Sequence, residues 1–268
     1  MRPVLFTLGS LPVRSYGLMM ALAFLVGIWI ARRRFRSRGL DPDIVIDFAV
    51  LVILTSVAGA RAAYVMVRWD YFREAPLAIF RIWEGGLALY GGIIVGVIVG
   101  LTFLARRGIH IWRGADLMVP SVAMGIAIGR IGCFLNGCCF GEPCDLPWAV
   151  TFRPGSIAGQ EFAGVHLHPT QVYESLIALG IFFVLLAVER RKPFEGFLFW
   201  LFVALLAISR FFIDPLRHYG TESILLRAGG LELTNNQAMG VGLLMLAFLA
   251  MVHLARRSGQ REKSAAPS

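Results

Sequence analysis

The stretch GRIGCFLNGCCFG, residues 129 to 141, begins inside a long apolar segment and carries an arginine, an asparagine and three of the four cysteines. An arginine at the centre of a membrane-spanning helix costs about 2.5–3.5 kcal/mol on insertion scales. Its planar guanidinium suits phosphate oxygens and does not lose its charge by deprotonation. The chemistry that Arg130 offers is therefore anion binding, with phosphate as the best-matched anion.

Seven apolar segments must position these groups. The chain of 268 residues is 57% hydrophobic and 16% charged, whereas a typical soluble domain carries about 25% charged residues. Each segment is long enough to cross roughly 30 Å of hydrocarbon. The segments cover residues 16–31, 43–66, 86–105, 115–136, 172–188, 195–213 and 237–255. The sequence predicts an all-α integral membrane protein with seven transmembrane helices.

Basic residues between the segments predict the orientation. Of the 26 basic residues, 15 follow the first, third, fifth and seventh segments, and 8 flank the opposite ends. Because cytoplasmic loops carry the excess of Lys and Arg, the N-terminus is expected outside and the C-terminus in the cytoplasm. The same pattern accounts for the net charge of +9 without nucleic acid. We expect a multi-pass protein of the bacterial plasma membrane.

The sequence predicts one polytopic membrane domain over residues 1–257. Its longest connection, residues 137–171, is expected outside the membrane, and its length is typical of a lid or binding loop. Residues 258–268 are polar and are predicted to form a disordered cytoplasmic tail. Gly92, Gly96 and Gly100 repeat every four residues, a pattern that lets helices pack closely.

Three arginines lie within segments, and all three fall toward the predicted external end: Arg61, Arg130 and Arg210. One interpretation is that each arginine side chain extends separately to the membrane–water interface, as long basic side chains do. The alternative is a shared anionic partner in the outer leaflet, for which a phospholipid head group is the local candidate. Convergence from three separate segments favours the shared partner.

Six motifs follow one another along the chain. They are RSYGL at 14–18, GARAAY at 59–64, WEGGLALYGG at 83–92, GRIGCFLNGCCFG at 129–141, HPTQVYES at 168–175 and RFFIDPLR at 210–217. In this order they resemble the signatures of the bacterial prolipoprotein diacylglyceryl transferase family. The seven-span architecture of that family, with its N-terminus outside, agrees with the segment count.

The resemblance implies a reaction between a lipid and a thiol. A diacylglyceryl group would move from phosphatidylglycerol to the lipobox cysteine in the signal peptide of a preprolipoprotein, forming a thioether and releasing glycerol 1-phosphate. Such a reaction needs stabilisation of charge at the departing phosphate and a way to deprotonate the thiol. The expected partners are phosphatidylglycerol, the signal peptide and the lipid bilayer. We expect no cofactor and no metal.

The resemblance also assigns roles to residues of this chain. Arg130 is expected to bind the phosphate with support from Arg210, and Asp214 to orient Arg210. The lipid-binding group further comprises Tyr16, Arg61, Asn136, Gly137 and Gly141, and the catalytic group comprises Tyr90, Arg210 and Asp214. The loop-anchoring group comprises His168, Gln171, Tyr173 and Glu174.

Two positions depart from the family pattern. Tyr90 stands where the family has a histidine, and Cys133 stands where the signature has asparagine. A phenol has a pKa near 10, so Tyr90 acts as a base only if neighbouring arginines lower that value, and otherwise forms hydrogen bonds. The spacing C-x4-C-C-x4-C differs from the paired C-x2-C of common zinc sites. A disulfide in an oxidising exterior is the other interpretation of these cysteines.

Functions of other classes fit less well. A transporter with an arginine-lined anion site is disfavoured because the polar residues lie at one face, without a charged path across and without evident inverted repeats. An intramembrane protease is disfavoured because the chain has no G-x-S-x-G motif. The aspartates Asp47 and Asp116 lie at cytoplasmic ends and do not form a dyad with Asp214.

Overall fold

The computed structural model describes residues 4–8, 11–219, 224–228 and 231–265. Seven of its helices are long and apolar enough to cross a membrane. These are α1 (Ser15–Ser37), α2 (Ile44–Val67), α4 (Leu89–Arg106), α5 (Ile111–Asn136), α7 (Thr170–Glu189), α8 (Phe197–Ile213) and α9 (Asn235–Ala265); two short helices are α3 (Trp69–Glu74) and α6 (Ile157–Glu161). Each of the seven predicted segments coincides with one long helix, so the predicted seven-helix fold is confirmed.

Three short antiparallel strand pairs supplement the helices. The sequence analysis did not predict these strand pairs. They pair β1 (Val4–Leu8) with β2 (Leu11–Arg14), β3 (Val150–Thr151) with β4 (His166–Leu167), and β5 (Ile224–Ala228) with β6 (Leu231–Thr234). The β1–β2 hairpin runs directly into α1, and the β5–β6 hairpin runs directly into α9. Hairpins satisfy backbone hydrogen bonds where a helix has not yet begun.

Helix α9 continues to Ala265, into the segment predicted to be disordered. Arg, Gln, Glu and Lys dominate residues 256–263, and all four are good helix formers, so the helix propagates beyond its apolar part. The predicted tail therefore begins as helix, and residues 266–268 lie outside the described residues.

The chain divides into two compact units, which are residues up to 30 together with 115 onward, and residues 31–114. In the second unit, α2 packs on α4 through glycines. A Cβ added to Gly92 would lie 2.9 Å from the Ser56 carbonyl oxygen, and one added to Gly59 would lie 2.6 Å from Cβ of Val95. Because these distances are too short for a side chain, the glycines are required for the approach of the two helices.

In the first unit, a buried carboxylate fixes where α8 begins. The Asp116 side chain accepts hydrogen bonds from the backbone N–H groups of Gly196 (2.9 Å) and Phe199 (3.0 Å) and pairs with Lys192 at 2.9 Å. It therefore satisfies N–H groups at the start of α8 that have no intrahelical partner. Asp116 and Arg130 are separated by about 21 Å along α5 at 1.5 Å per residue. The contact thus holds α8 in register with the helix that carries Arg130.

Candidate active site

The polar centre of the first unit is a glutamate paired with arginines. Glu174, near the start of α7, lies 2.9 Å from Nη1 of Arg130 on α5 and 2.8 Å from Nη1 of Arg210 on α8. Arg217, just beyond α8, approaches the same carboxylate at 3.7 Å. The Glu174 side chain is only 9% exposed. A single carboxylate therefore brings together three guanidiniums from two helices and a following turn.

The local sequence explains how Arg217 reaches this group. Helix α8 ends at Ile213, and residues Asp214–Leu216 form a single 3₁₀ turn with Pro215 near its start. Proline has no N–H for a continued α-helix, so the chain turns there. The N–H of Arg217 then donates to the Asp214 carbonyl at 3.1 Å. The guanidinium of Arg217 is thereby brought back toward the end of α8.

The charge balance of this cluster favours an anionic ligand. Three guanidiniums face the one carboxylate of Glu174, so the positive charges of the cluster outnumber the negative charge that pairs with them. Arg210 is the most exposed of the three arginines, with 40% of its side chain accessible. Charged hydrogen bonds are strongest where water is excluded, and a guanidinium fork matches phosphate oxygens. Arg210 can bind a phosphodiester in this arrangement, while Glu174 fixes the positions of the arginines that pair with it.

Sequence reasoning placed Glu174 in an anchoring segment and did not foresee its central position. Arg217 was seen as part of a motif but was not assigned to the site. Tyr219 was missed altogether, although its ring lies 5.2 Å from the Arg217 guanidinium. Burial, followed by a hydrogen bond with Asp214, raises the pKa of Tyr219 to about 12, so its phenol is a hydrogen-bond donor at neutral pH. A signal that could have found Glu174 was its position in an apolar segment, where a carboxylate needs a cationic partner.

Helix α5 ends in a turn that folds back on the helix. Gly137 has φ 72°, its N–H donates to the Phe134 carbonyl, and the N–H of Cys138 donates to the Cys133 carbonyl, both at 3.2 Å. These two hydrogen bonds, with glycine in the left-handed region, define the Schellman C-cap. Its consequence is that Cys138 and Cys139 lie over Cys133, with the three Sγ atoms within 4.8 Å of one another.

Hydrogen bonds to the other two thiols, together with the positive charges of Arg217 and Arg130, hold the pKa of Cys139 below its ordinary value. The four cysteines are free in the structure. Cys144 belongs to a different part of the loop, where its N–H donates to the His166 carbonyl at 3.0 Å.

The segment at the start of α7 fixes this turn. Gln171 Nε2 donates to the Cys138 carbonyl at 2.7 Å, and Thr170 Oγ1 donates to the Cys139 carbonyl at 2.9 Å. The His168 carbonyl accepts the N–H of Gly141 at 3.0 Å, and the Tyr173 hydroxyl accepts from Trp148 Nε1 at 2.7 Å. These are the contacts of a segment that anchors the loop. Thr170 was not among the predicted anchoring residues.

Gly137 and Gly141 face protein atoms. A Cβ at Gly137 would lie 2.6 Å from Cβ of Ser156, and a Cβ at Gly141 would lie 2.6 Å from Cβ of His168. The close approach that each glycine permits is thus to the chain itself, because Gly137 packs against Ser156 within the loop and Gly141 packs against His168 just before α7. Their predicted contact with lipid stays a prediction.

Asn136 and Tyr16 lie near the end of α5. Arg130 and Cys133 are three residues apart, as are Cys133 and Asn136, so each pair is adjacent on the surface of α5. Tyr16, in the first turn of α1, is 40% exposed, and a Cβ added to Gly132 would lie 3.6 Å from its ring. Tyr16 therefore lies beside α5 near Gly132, and the contact of Tyr16 and Asn136 with lipid stays a prediction.

The role of Asp214 in orienting Arg210 stays a prediction, and the two side chains have different partners in the structure. Arg210 pairs with Glu174, whereas the Asp214 carboxylate accepts a hydrogen bond from the hydroxyl of Thr234, immediately before α9. Asp214 lies in the 3₁₀ turn beyond α8, so its carboxylate is directed to the start of the next helix. Asp214 thus ties the end of α8 to the start of α9.

The second unit contains Arg61 and Tyr90. All five N–H groups of Arg61 donate to backbone carbonyls, those of Ala78, Ile79, Arg81, Gly85 and Gly86, at 2.6–3.4 Å. A guanidinium has no further donors. Arg61 therefore organises residues 78–86, and its predicted contact with phosphatidylglycerol stays a prediction. Tyr90 lies in the first turn of α4 and is 56% exposed.

The fold and the site together define a class of protein: a helical membrane protein with a buried glutamate–arginine cluster. Comparison with known proteins is consistent with that class and narrows it. The sequence model of the prolipoprotein diacylglyceryl transferase family matches residues 3–253, and the chain belongs to this family.

Individual relatives match over nearly the whole chain. The phosphatidylglycerol–prolipoprotein diacylglyceryl transferase of Bacillus velezensis is 36% identical over 263 residues, which is 97% of this chain and 94% of the relative. The proteins of the same description from Bacillus cereus and Bacillus anthracis are each 34% identical, over 97% and 96% of this chain and 94% and 93% of the relatives.

Proposed function

We propose that this chain transfers the diacylglyceryl group of phosphatidylglycerol to the cysteine thiol of prolipoproteins. The single observation that carries the proposal is the pairing of Glu174 with both Arg130 and Arg210, at 2.9 and 2.8 Å. Family membership and the descriptions of the relatives support it. A thioether forms in this reaction and glycerol 1-phosphate leaves.

The arginine cluster would act on the departing phosphate. When the bond between the glycerol carbon and the phosphate oxygen breaks, a second negative charge develops on the phosphate. Donors already directed at that position stabilise the transition state more than the ground state, which is the condition for catalysis. Glu174 supplies this orientation, because it fixes two guanidiniums before the lipid binds.

The thiol must lose its proton before or during attack. The sulfur lone pair then forms the bond to the glycerol carbon, and the electrons of the broken bond pass to the phosphate oxygen. Tyr90, exposed at the start of α4, is the residue of this chain proposed to assist the thiol by hydrogen bonding or as a base. Tyr16, Asn136, Gly137 and Gly141 are proposed to contact the lipid.

The proposed setting is the bacterial plasma membrane with the site at its external face. The distribution of basic residues supports this orientation. The glutamate–arginine cluster lies at the ends of α5 and α8 and at the start of α7, which are the same side of the membrane in this topology. A lipid of the outer leaflet and the lipobox of an exported signal peptide both have access to that side.

The test is a transfer assay with purified protein, phosphatidylglycerol vesicles and a lipobox peptide, read by mass spectrometry. The expected result is a diacylglyceryl mass gain on the peptide cysteine. Peptides with serine at that position, and vesicles of phosphatidylethanolamine alone, serve as controls without product. If the cysteine peptide gains no mass in competent vesicles, the function is wrong. If Arg130→Ala keeps full turnover, Arg130 has no part in the reaction.

A further inference from the structure

Three thiols meet at the C-terminal end of α5. The Sγ atoms of Cys133, Cys138 and Cys139 all lie within 4.8 Å of one another, and each residue is half-buried. The C-cap at Gly137 produces this meeting, because it returns the chain over the last turn of the helix. The grouping therefore follows from backbone geometry as well as from side-chain rotamers.

The backbone at Cys139 is held in an unusual conformation. Among the described residues, Cys139 is the one non-glycine residue with positive φ, at 62°. Such a conformation is uncommon outside glycine, asparagine and aspartate, and it persists only where the surroundings impose it. Here the side chains of Gln171 and Thr170 bind the carbonyls of Cys138 and Cys139 at 2.7 and 2.9 Å. The protein thus holds the chain in a form that keeps the third thiol in the group.

A disulfide does not account for three thiols. Consecutive Cα atoms are about 3.8 Å apart, which is below the range of about 4.4–6.8 Å for disulfides, so Cys138 and Cys139 are poorly placed to pair. A bond from Cys133 to either one would leave the other thiol unused. A tetrahedral Zn²⁺ ion with Zn–S bonds of about 2.3 Å places sulfur atoms about 3.8 Å apart, and so would use all three after a small contraction.

We propose that Cys133, Cys138 and Cys139 bind Zn²⁺ through three thiolates and leave the fourth coordination position to the substrate thiol. Three protein ligands with one exchangeable position are the pattern of catalytic zinc sites. This differs from the sequence-based expectation of no metal, which considered spacing and not the turn after Gly137. The identity of the fourth ligand rests on the proposed function, whereas the three-thiolate site does not.

The neighbourhood of the thiols suits the proposed role. Arg130 lies three residues before Cys133 along α5, so the two side chains are neighbours on the helix surface. A zinc ion with three thiolates carries one negative charge, which the neighbouring guanidinium of Arg130 stabilises. A thiol that binds the metal releases its proton to water and remains a nucleophile close to the phosphate-binding arginines.

The step balances without a change in oxidation state. The zinc-bound sulfur forms a bond to the glycerol carbon, the carbon–oxygen bond to phosphate breaks, and its electron pair goes to glycerol 1-phosphate. Zinc remains Zn²⁺ throughout. The neutral thioether is a weaker ligand than a thiolate, so the lipidated product leaves the metal and water takes the fourth position.

The site is tested first on purified full-length protein without substrate. Chelator-treated, reduced protein is titrated with Zn²⁺ and with Co²⁺, whose thiolate charge-transfer absorption reports the number of sulfur ligands. We expect one metal ion per chain with three thiolates. Cys133→Asn, Cys138→Ser and Cys139→Ser should each weaken Zn²⁺ binding by more than about 100-fold, the upper end of the loss caused by removing an outer-shell partner.

Cys144→Ser is the matched control and should bind as wild type does. Cys133→Asn introduces the residue of the family signature, so it provides a variant expected to fold. If the reduced protein binds no Zn²⁺, or if Cys144→Ser weakens binding as much as the other variants, the three-thiolate site is wrong. A stable disulfide among the three cysteines in protein purified without reductant, with no bound metal, also overturns it.

The fourth ligand is tested on the Co²⁺-loaded protein with lipobox peptides. The cysteine peptide should increase the charge-transfer absorption by the contribution of one thiolate, and the serine peptide should leave it unchanged. Equal spectra with both peptides would overturn substrate coordination while retaining the metal site. Absence of transfer activity in protein that gives the expected spectra would instead refute the proposed function.

Discussion

Glu174 and Arg130 form an ion pair at 2.9 Å between α7 and α5, and the other oxygen of the same carboxylate pairs with Arg210 at 2.8 Å. An unpaired carboxylate at this depth would be costly, and so would three neighbouring guanidiniums without a counter-charge. The pairing therefore has two consequences that can be separated. It allows the arginines to approach one another, and it fixes where their remaining N–H groups point.

Glu174→Gln removes the charge and keeps the shape. We expect the transfer rate to fall at least about tenfold, because two guanidiniums lose the charge of the buried carboxylate that they face at 2.9 and 2.8 Å. The initial rate against phosphatidylglycerol concentration measures this loss. Glu142→Gln, in the loop before α6, is the control with an exposed carboxylate. Equal rates for Glu174→Gln and wild type would show that the pairing does not serve the reaction.

Arg61→Lys should lower stability without changing lipid recognition. Lysine has three donors on a flexible stem and cannot replace the five hydrogen bonds that Arg61 makes to residues 78–86. We expect a lower midpoint of thermal unfolding in detergent and an unchanged KM for phosphatidylglycerol in the folded fraction. A higher KM at unchanged stability would contradict this expectation and support the sequence-based prediction that Arg61 binds the lipid.

Gly141→Ala should destabilise the loop that carries the cysteines. The added Cβ would meet the His168 Cβ at 2.6 Å and the Thr170 Cγ2 at 2.8 Å, in a region that cannot relax without moving the start of α7. Overpacking of this kind costs about 1–3 kcal/mol. Gly155→Ala is the matched control, because its Cβ would have nothing within 4 Å. Denaturant or thermal unfolding of the two variants compares them, and equal stability would contradict the packing described here.

Tyr90→Phe tests the position where this chain departs from the family histidine. If the phenol takes the thiol proton, the variant should lose at least about 100-fold in rate, as for loss of a general base. The transfer assay at several pH values measures this, and peptide binding under the same conditions separates catalysis from recognition. An unchanged rate would exclude the phenol as base and leave thiol activation to another group.

The sequence alone determined the membrane-spanning architecture and identified most of the residues with a candidate chemical role. Apolar segments of about 20 residues have few alternatives to transmembrane helices, because backbone polar groups in hydrocarbon must bond within the segment. Arg130 and Arg210 were found for a related reason, since a charge in an apolar segment needs a partner. Most helix limits were reproduced to within a few residues, but α1 and α9 continue well beyond their predicted ends, to Ser37 and Ala265, because polar residues extend the helices past their apolar parts. The short strand pairs were missed because they carry weak local signals.

Only the tertiary structure decided which partner each charged group has. Arg61 and Arg130 look alike in sequence, yet one binds five backbone carbonyls and the other binds Glu174. The meeting of Cys133 with Cys138 and Cys139 likewise depends on the turn after Gly137 and on its anchoring by Gln171. Periodicity and hydropathy report the environment of a residue along its own helix. The pairing of side chains is set by how separate segments pack, which no single segment encodes.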